Sequence, residues 1–330
     1  MSAPAAASTS PTHSRKSQSS KKPDLTIFFA TDIHGSNLCF KKVLAAPAFY
    51  HADVVVLGGD LTGKMIVPIL KTSAGWEARY LSSTMRLETE SAVREFEKTV
   101  SDAGYYPFRT AADELANGDA GWKDHVFEEQ VIGRLQMWDE LAAGRIPIYV
   151  APGNDDEMYV DGVLSQSRHF VNVEAREVEL PKGYKLYSTG WSNITPWHTP
   201  RELDEAALLE RLEGIVAKVD EPDNAVFNFH VPPKDSGLDT CFEVNERLEV
   251  VSELGQPKLT SAGSTAVRDV LARVQPVASL HGHIHESRGM SRIGRTVAFN
   301  PGSEYSEGVL RGVLVGLRDH RVESHQFTSG

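Results

Sequence analysis

Leu25-Thr26-Ile27-Phe28-Phe29-Ala30, running straight into Thr31-Asp32-Ile33-His34-Gly35, is the stretch on which the fold turns. The first six residues are apolar or β-favouring and too few for a helix, so they read as a buried strand. Residues 36–46 read as a helix, and Ala52-Asp-Val-Val-Val-Leu57 reads as a second buried strand. That is a β-α-β unit, a parallel pair joined by a right-handed crossover, so the fold class is α/β. Asp32 and His34 lie two apart, which lets a carboxylate and an imidazole face one point from the end of the first strand. In open α/β sheets, ligands bind outside the carboxyl ends of the strands.

The same arrangement recurs along the chain. The strand ending at Leu57 runs into Gly58-Gly59-Asp60, and the one at 146–150 into Ala151-Pro152-Gly153-Asn154-Asp155-Asp156. A strand at 225–229 ends at His230, and one at 277–280 runs into His281-Gly282-His283-Ile284-His285-Glu286. Residues 185–189 read as a further strand, and strands and tight turns follow residue 290, ending in Gly312–Leu317. Taken singly, Asp32 could cap a helix, Asp60 and Asn154 could make turns, and His230 could be a satisfied core histidine. Five such strand ends in one chain point instead to a metal site. His283 and His285 point to one side of an extended backbone, and Gly282 lets that backbone bend or approach a bound group closely. Imidazole, carboxylate and amide oxygen suit Mn, Fe, Zn, Ni or Co.

Composition narrows the alternatives. The chain has 330 residues, 41% apolar, enough for one large domain or two closely packed ones, and a net charge of −11. An acidic body argues against a nucleic-acid-binding surface, yet bound metal ions would supply local positive charge for a phosphorylated substrate. The only cysteines, Cys39 and Cys241, fit neither a disulfide framework nor a thiolate site, and agree with a reducing cytoplasm. No apolar run reaches membrane-spanning length. Residues 1–22 are Ser-rich and basic and read as a disordered tail; a transit peptide shares the composition, but no amphipathic pattern supports one. Residues 63–143 read as a mainly helical insertion, from Leu81, Met85, Val93, Phe96 and Val100 and from Phe127, Val131, Leu135, Trp138 and Leu141. It would either cover the sheet or cap the substrate pocket. Gly58–Met65 nearly matches a P-loop, but Met65 stands where a hydroxyl is needed and Asp60 would enter the phosphate cradle.

The order Asp32-x-His34, Gly59-Asp60, Gly153-Asn154, His230, Gly282-His283-x-His285 resembles the calcineurin-like metallophosphoesterase superfamily. The resemblance runs from about residue 25 to the C-terminus. It looks closest to a branch of phosphoesterases related to the Icc-type cyclic-nucleotide phosphodiesterases, through Gly63-Lys64, Gly153–Asp156, Ser192–Pro196, His230–Pro233 and Asn300–Ser303. It implies two mixed β-sheets packed face to face with helices outside, around two divalent metals, manganese favoured. It implies that Asp32, His34 and His285 hold the first metal, that Asn154, His230 and His283 hold the second, and that Asp60 bridges them. Two divalent cations against two aspartates leave about +2, and a bridging hydroxide brings this to about +1. The expected reaction is in-line attack of that hydroxide on a small-molecule phosphodiester.

One position departs from the resemblance. Where most members carry a histidine after the Gly-Asn asparagine, this chain has Asp155. An ionised aspartate donates no proton to a leaving group. Asp155 with a raised pKa, or His281 in its place, are the candidate acids; His281 also suits a supporting role behind the ligands. Glu286 could accept a hydrogen bond from a ligating imidazole. Lys64, Arg268, Arg288, Arg292 and Arg295 could reach substrate phosphate or be solvated surface charges, and Lys64, in the loop after Asp60, is the first candidate among them. Asn193 and Thr195 either position the site or simply make a turn. A protein or phosphomonoester phosphatase, or a metal-binding regulatory module with weakened catalysis, are the competing readings.

Overall fold

The computed structural model describes residues 22–330, so the expected tail lies, Lys22 apart, outside the described residues. Two six-stranded mixed sheets form the body. The first has the strand order 321–329, 311–318, 25–30, 54–57, 148–150, 170–172. The three pairings from Leu25–Ala30 to Phe170–Asn172 are parallel, and the two that join Arg311–Arg318 to Leu25–Ala30 and to Arg321–Ser329 are antiparallel. The second sheet runs 289–293, 296–300, 278–280, 225–229, 185–189, 177–179, antiparallel only at its two edges.

Side-chain alternation in these apolar strands explains the layering. Leu25, Ile27, Phe29, Val54 and Val56 enter one core with Leu186, Val226, Leu280, Val297 and Phe299, so the two sheets pack face to face. Phe28, Ala30, Val55 and Leu57 point the other way, into a core with the helices Asn37–Tyr50, Ala120–Leu141 and Val160–Ser165. Phe227 and Phe229 of the second sheet do the same with Glu205–Val216 and Thr265–Val274. The result is helices, sheet, sheet, helices. With both faces covered, the parallel strands are buried end to end, which is why their sequences are unbroken apolar runs.

The 63–143 segment differs from its helical reading in one part. Helices do occupy Glu90–Asp102, Ala112–Asn117 and Ala120–Leu141, but Ile66–Thr72, Gly75–Tyr80, Ser83–Leu87 and Tyr106–Thr110 form a four-stranded sheet. Leu81 and Met85 fall in a turn and a strand and are exposed, so their spacing marks no buried helical face. Val131, Leu135 and Trp138 pack on the first sheet, and Trp138 Nε1 donates to Asn37 Oδ1 at 2.7 Å. Arg134 donates to the Gly35 carbonyl and, at 3.1 Å, to that of Tyr105. Through these contacts the segment covers the sheet and braces the loop that follows the first strand. Beyond Gly312–Leu317 the chain adds a last strand, Arg321–Ser329, on the outer edge.

Candidate metal centre

All five ligand-bearing turns meet at the carboxyl ends of strands from both sheets. They are stitched by backbone: Asp32 N–H donates to Gly59 O, His34 N–H to Asp60 O, and Gly282 N–H to His230 O, at 2.9, 3.0 and 2.9 Å. Asp32, His34, Asp60 and His283 have φ values of 53°, 39°, 48° and 66°. Non-glycine residues seldom adopt this left-handed region, and such strain gathers at functional sites. Gly153 and Gly282 close the arrangement, because a Cβ at either would overlap Asp60 Oδ1 or Asp32 Oδ2 respectively.

The donors fall on two sides of Asp60. On one side, His34 Nε2 stands 3.1 Å from His285 Nε2 and 3.7 Å from Asp60 Oδ2, while His285 Nε2 is 3.3 Å from Asp32 Oδ1. Donor atoms of Asp32, His34, Asp60 and His285 all lie within 4.8 Å of one another. On the other side, His230 Nε2 is 3.4 Å from Asp60 Oδ1, and His283 Nδ1 is 2.7 Å from Asn154 Oδ1. His283 and His285 therefore face different halves of the site, and the two oxygens of Asp60 face one half each.

This donor set fits divalent cations. His230 Nδ1 faces Gly58 O at 3.3 Å, which turns Nε2 inward, and that buried nitrogen has no hydrogen-bond partner. Burial opposes ionisation of both carboxylates, yet the fields of His230 and His285 hold Asp32 down at about 2, and those of His230 and His34 hold Asp60 well below its usual range. Burial would also neutralise His230, but Asp60 and Asp32 push it up to about 9. Burial dominates at His34, held down at about 3, and at His283, at about 4. Two buried anions thus draw their compensating charge from imidazoles, the role a metal ion takes over when it binds.

Other residues, to which the sequence reading gave no role of their own, hold the donors in place. Asp156 is fully buried and accepts from Gly153 N–H (2.7 Å), Leu61 N–H (3.0 Å), Thr62 N–H (2.9 Å) and the Thr62 hydroxyl (2.6 Å), pinning the Asn154 turn to the Asp60 turn. Asn154 Nδ2 donates to Thr199 Oγ1 at 2.8 Å, and Thr199 donates to Glu202 at 2.6 Å, which leaves Asn154 Oδ1 aimed at the site. Asn300 Nδ2 reaches the carbonyls of Gly282 and Ile284, and Ser303 Oγ that of Asp32.

His281 takes the supporting place that its sequence position also allowed, and not that of an acid facing the cleft. It is fully buried, with Nδ1 against the carbonyls of Phe229 (2.7 Å) and Val231 (3.2 Å) and Nε2 accepting from Ser279 Oγ at 2.8 Å. Both nitrogens are engaged away from the cleft, so it braces the His230 turn and has no access to a leaving group. Asp155 does face the cleft. Its N–H donates to Asp60 Oδ1 at 3.0 Å and its carboxylate is ion-paired with Lys64. Burial, then the charge of Asp60, raises Asp155 to about 6. Arg268 instead donates to Lys234 O, Arg288 lies over Phe327, and Arg295 pairs with Asp223.

No protein-family model matches the chain. It is 26% identical over 171 residues, 51% of its length, to 70% of an uncharacterized protein of Methanocaldococcus jannaschii. Among solved structures, one crystal structure superposes with a TM-score of 0.53 at 15% identity, covering 92% of this chain and 98% of the other. The protein TT1561 of Thermus thermophilus superposes with a TM-score of 0.50 at 14% identity, covering 94% and 99%. The two face-to-face mixed sheets and their flanking helices are the calcineurin-like metallophosphoesterase fold.

Proposed function

We propose that the protein is a dinuclear metal-dependent phosphoester hydrolase acting on small-molecule phosphodiesters. The observation that carries this reading is the division of the donors about Asp60, whose two carboxylate oxygens face His34 and His230 at 3.7 and 3.4 Å. Asp32, His34 and His285 are assigned to one ion, Asn154, His230 and His283 to the other, and Asp60 to both. Divalent ions, manganese first, supply positive charge for the phosphoryl oxygens and lower the pKa of a water to make a nucleophile.

The chain's own residues then divide the remaining work. Lys64 stands at the mouth of the centre as a cation for a phosphate oxygen. Asp155 positions Lys64 through its side chain and Asp60 through its N–H. With His281 turned away and Asp155 paired to a lysine, the leaving group meets no imidazole acid. Esters with good leaving groups, aryl phosphodiesters above simple alkyl monoesters, are therefore the favoured substrates. The test is turnover of bis(4-nitrophenyl) phosphate by the full chain: loss on chelation and return with Mn²⁺ support the reading, and chelator-insensitive turnover or none with Mn²⁺ sinks it. We further assign the protein to a reducing compartment such as the cytoplasm, because Cys39 and Cys241 are both free. Among the described residues no helix is long and apolar enough to cross a membrane.

A further inference from the structure

A cleft of about 900 Å³ opens directly on the metal centre, bounded at its inner end by Asp60, Asn154, His283 and His285. Its size is that of a site for a whole small-molecule ligand, far more than a phosphate needs. The outer walls come from two segments, the turn at 193–199 and the hairpin in which Thr240–Phe242 pairs with Leu259–Ser261. Of the 63–143 segment only Lys64 lines it. Apart from Lys64, the residues that shape the substrate space thus lie outside the segment read as either a sheet cover or a pocket cap.

Those walls are apolar. Ile194, Trp197, Phe242, Val244, Leu248 and Val250 all face the cleft. Trp197 is 59% exposed and Phe242 44%, although the rest of the aromatic complement is largely packed inside. Large side chains left open beside a polar catalytic centre mark a place where a ligand covers them. The charge of the outer cleft points the same way. Glu205, Glu243 and Glu286 line it against Lys234, whose Nζ donates to Ser261 O at 3.2 Å, and Glu243 is paired with Lys258. A second phosphate there would meet carboxylates.

We propose that Trp197 and Phe242 form an aromatic subsite that selects phosphoesters with a single phosphate and a flat, uncharged aromatic group. This rests on the hydrolase reading for the placement of the phosphate at the metals. It is separate from leaving-group chemistry, because it concerns the contacts of the organic group and holds for ligands that never react. An aromatic contact contributes about 0.5–1.5 kcal/mol beyond its burial, so each residue is worth roughly a twofold to tenfold change in affinity.

The test uses non-hydrolysable ligands, 1-naphthylphosphonate and methylphosphonate, titrated by calorimetry into the Mn²⁺-loaded full chain. Naphthylphosphonate is expected to bind at least tenfold more tightly. Trp197→Ala and Phe242→Ala each cut that preference about fivefold, while the affinity for methylphosphonate, which reports an intact metal centre, stays constant. Equal binding of the two ligands, binding of neither, or a preference untouched by both substitutions overturns the subsite. A straight-chain alkylphosphonate of equal apolar area that binds as well as the naphthyl compound overturns its aromatic character. Turnover of bis(4-nitrophenyl) phosphate, measured alongside, separates the two claims: aromatic-selective binding without turnover removes the hydrolase reading alone, and turnover without selectivity removes the subsite alone.

Discussion

The Nε2 atoms of His34 and His285 face each other at 3.1 Å, although the two residues are 251 positions apart in the chain. Burial suppresses the charge on His34, whereas Asp32 overcomes burial and raises the pKa of His285. The two rings meet in a space flanked by Asp32 and Asp60, whose negative charge suits a divalent ion. Each Mn²⁺ ion at 100 times its Kd should stabilise the chain by about 2.7 kcal/mol, a Tm increase of roughly 5 °C per ion for a protein of this size. Asp60→Asn, which touches both halves of the donor set, should remove most of that increase. Thermal melts of the chelator-treated protein with and without Mn²⁺ check this, and an unshifted wild-type Tm refutes the centre.

Lys64 and Asp155 make the second test. Removing the Lys64 charge deletes a charge-assisted phosphate contact worth about 1.5–3 kcal/mol, so Lys64→Met should lower kcat/KM by roughly 10- to 100-fold. Asp155→Asn keeps the N–H to Asp60 and frees Lys64, so it should change kcat/KM less than about fivefold. Steady-state kinetics on an aryl phosphodiester decide it. A large loss in Asp155→Asn with none in Lys64→Met would reverse the assigned roles.

Thr199 touches no metal donor except through the amide of Asn154. Thr199→Val keeps the volume, removes the hydroxyl that holds Asn154 Nδ2, and leaves Glu202 with Thr195. Partners of this kind typically contribute 10- to 100-fold in metal affinity or activity. Mn²⁺ titration followed by calorimetry should show one of two binding events weakened by about that factor, with the other unchanged. Two unaltered events would leave Thr199 as a turn residue only.

The core strands and the turns that gather at their ends were legible because parallel strands buried on both faces leave continuous apolar runs, and each run ends near an Asp, Asn or His. The strands at 66–87 were not. Their outer faces are exposed, so Leu81 and Met85 happened to fit a helical spacing without being buried by it. Asp156 was hidden in the run Asn154-Asp155-Asp156, where one residue faces the donors, one a lysine, and one the backbone of another turn. Thr199, held by Glu202, acts across 45 residues on Asn154, a relation that exists only once the chain is folded. The cleft walls were silent for a similar reason, since Trp197 and Phe242 come to line one cleft only once the hairpin that carries the latter has folded.

His281 should behave as a buried brace. His281→Ala leaves the Phe229 carbonyl without its 2.7 Å partner and opens a cavity, at a cost of about 2–4 kcal/mol. Denaturant melts should show that loss. Turnover per folded molecule should stay within about threefold of wild type at saturating Mn²⁺. A collapse of kcat in protein shown to be folded would return His281 to the reaction.

Asp139, remote from the metals, gives a pH dependence of defined sign. Its carboxylate accepts from the Ser167 hydroxyl and from the N–H groups of Arg168, His169 and Phe170, tying the helix Ala120–Leu141 to the strand Phe170–Asn172. Burial pushes its pKa up, but the Arg168 N–H, the Ser167 hydroxyl and the other two N–H groups outweigh it and bring the group below its ordinary 3.8. A depressed carboxylate stabilises the fold fully above its unfolded pKa and loses that contribution as pH falls through the folded one. The stability difference between wild type and Asp139→Asn should therefore be flat from pH 8 to about pH 5, near 2 kcal/mol for charge-assisted bonds, and shrink below about pH 4. Denaturant melts of both proteins across that range provide the measurement. A difference that grows on acidification contradicts the assignment of the ionised form as the bonded one.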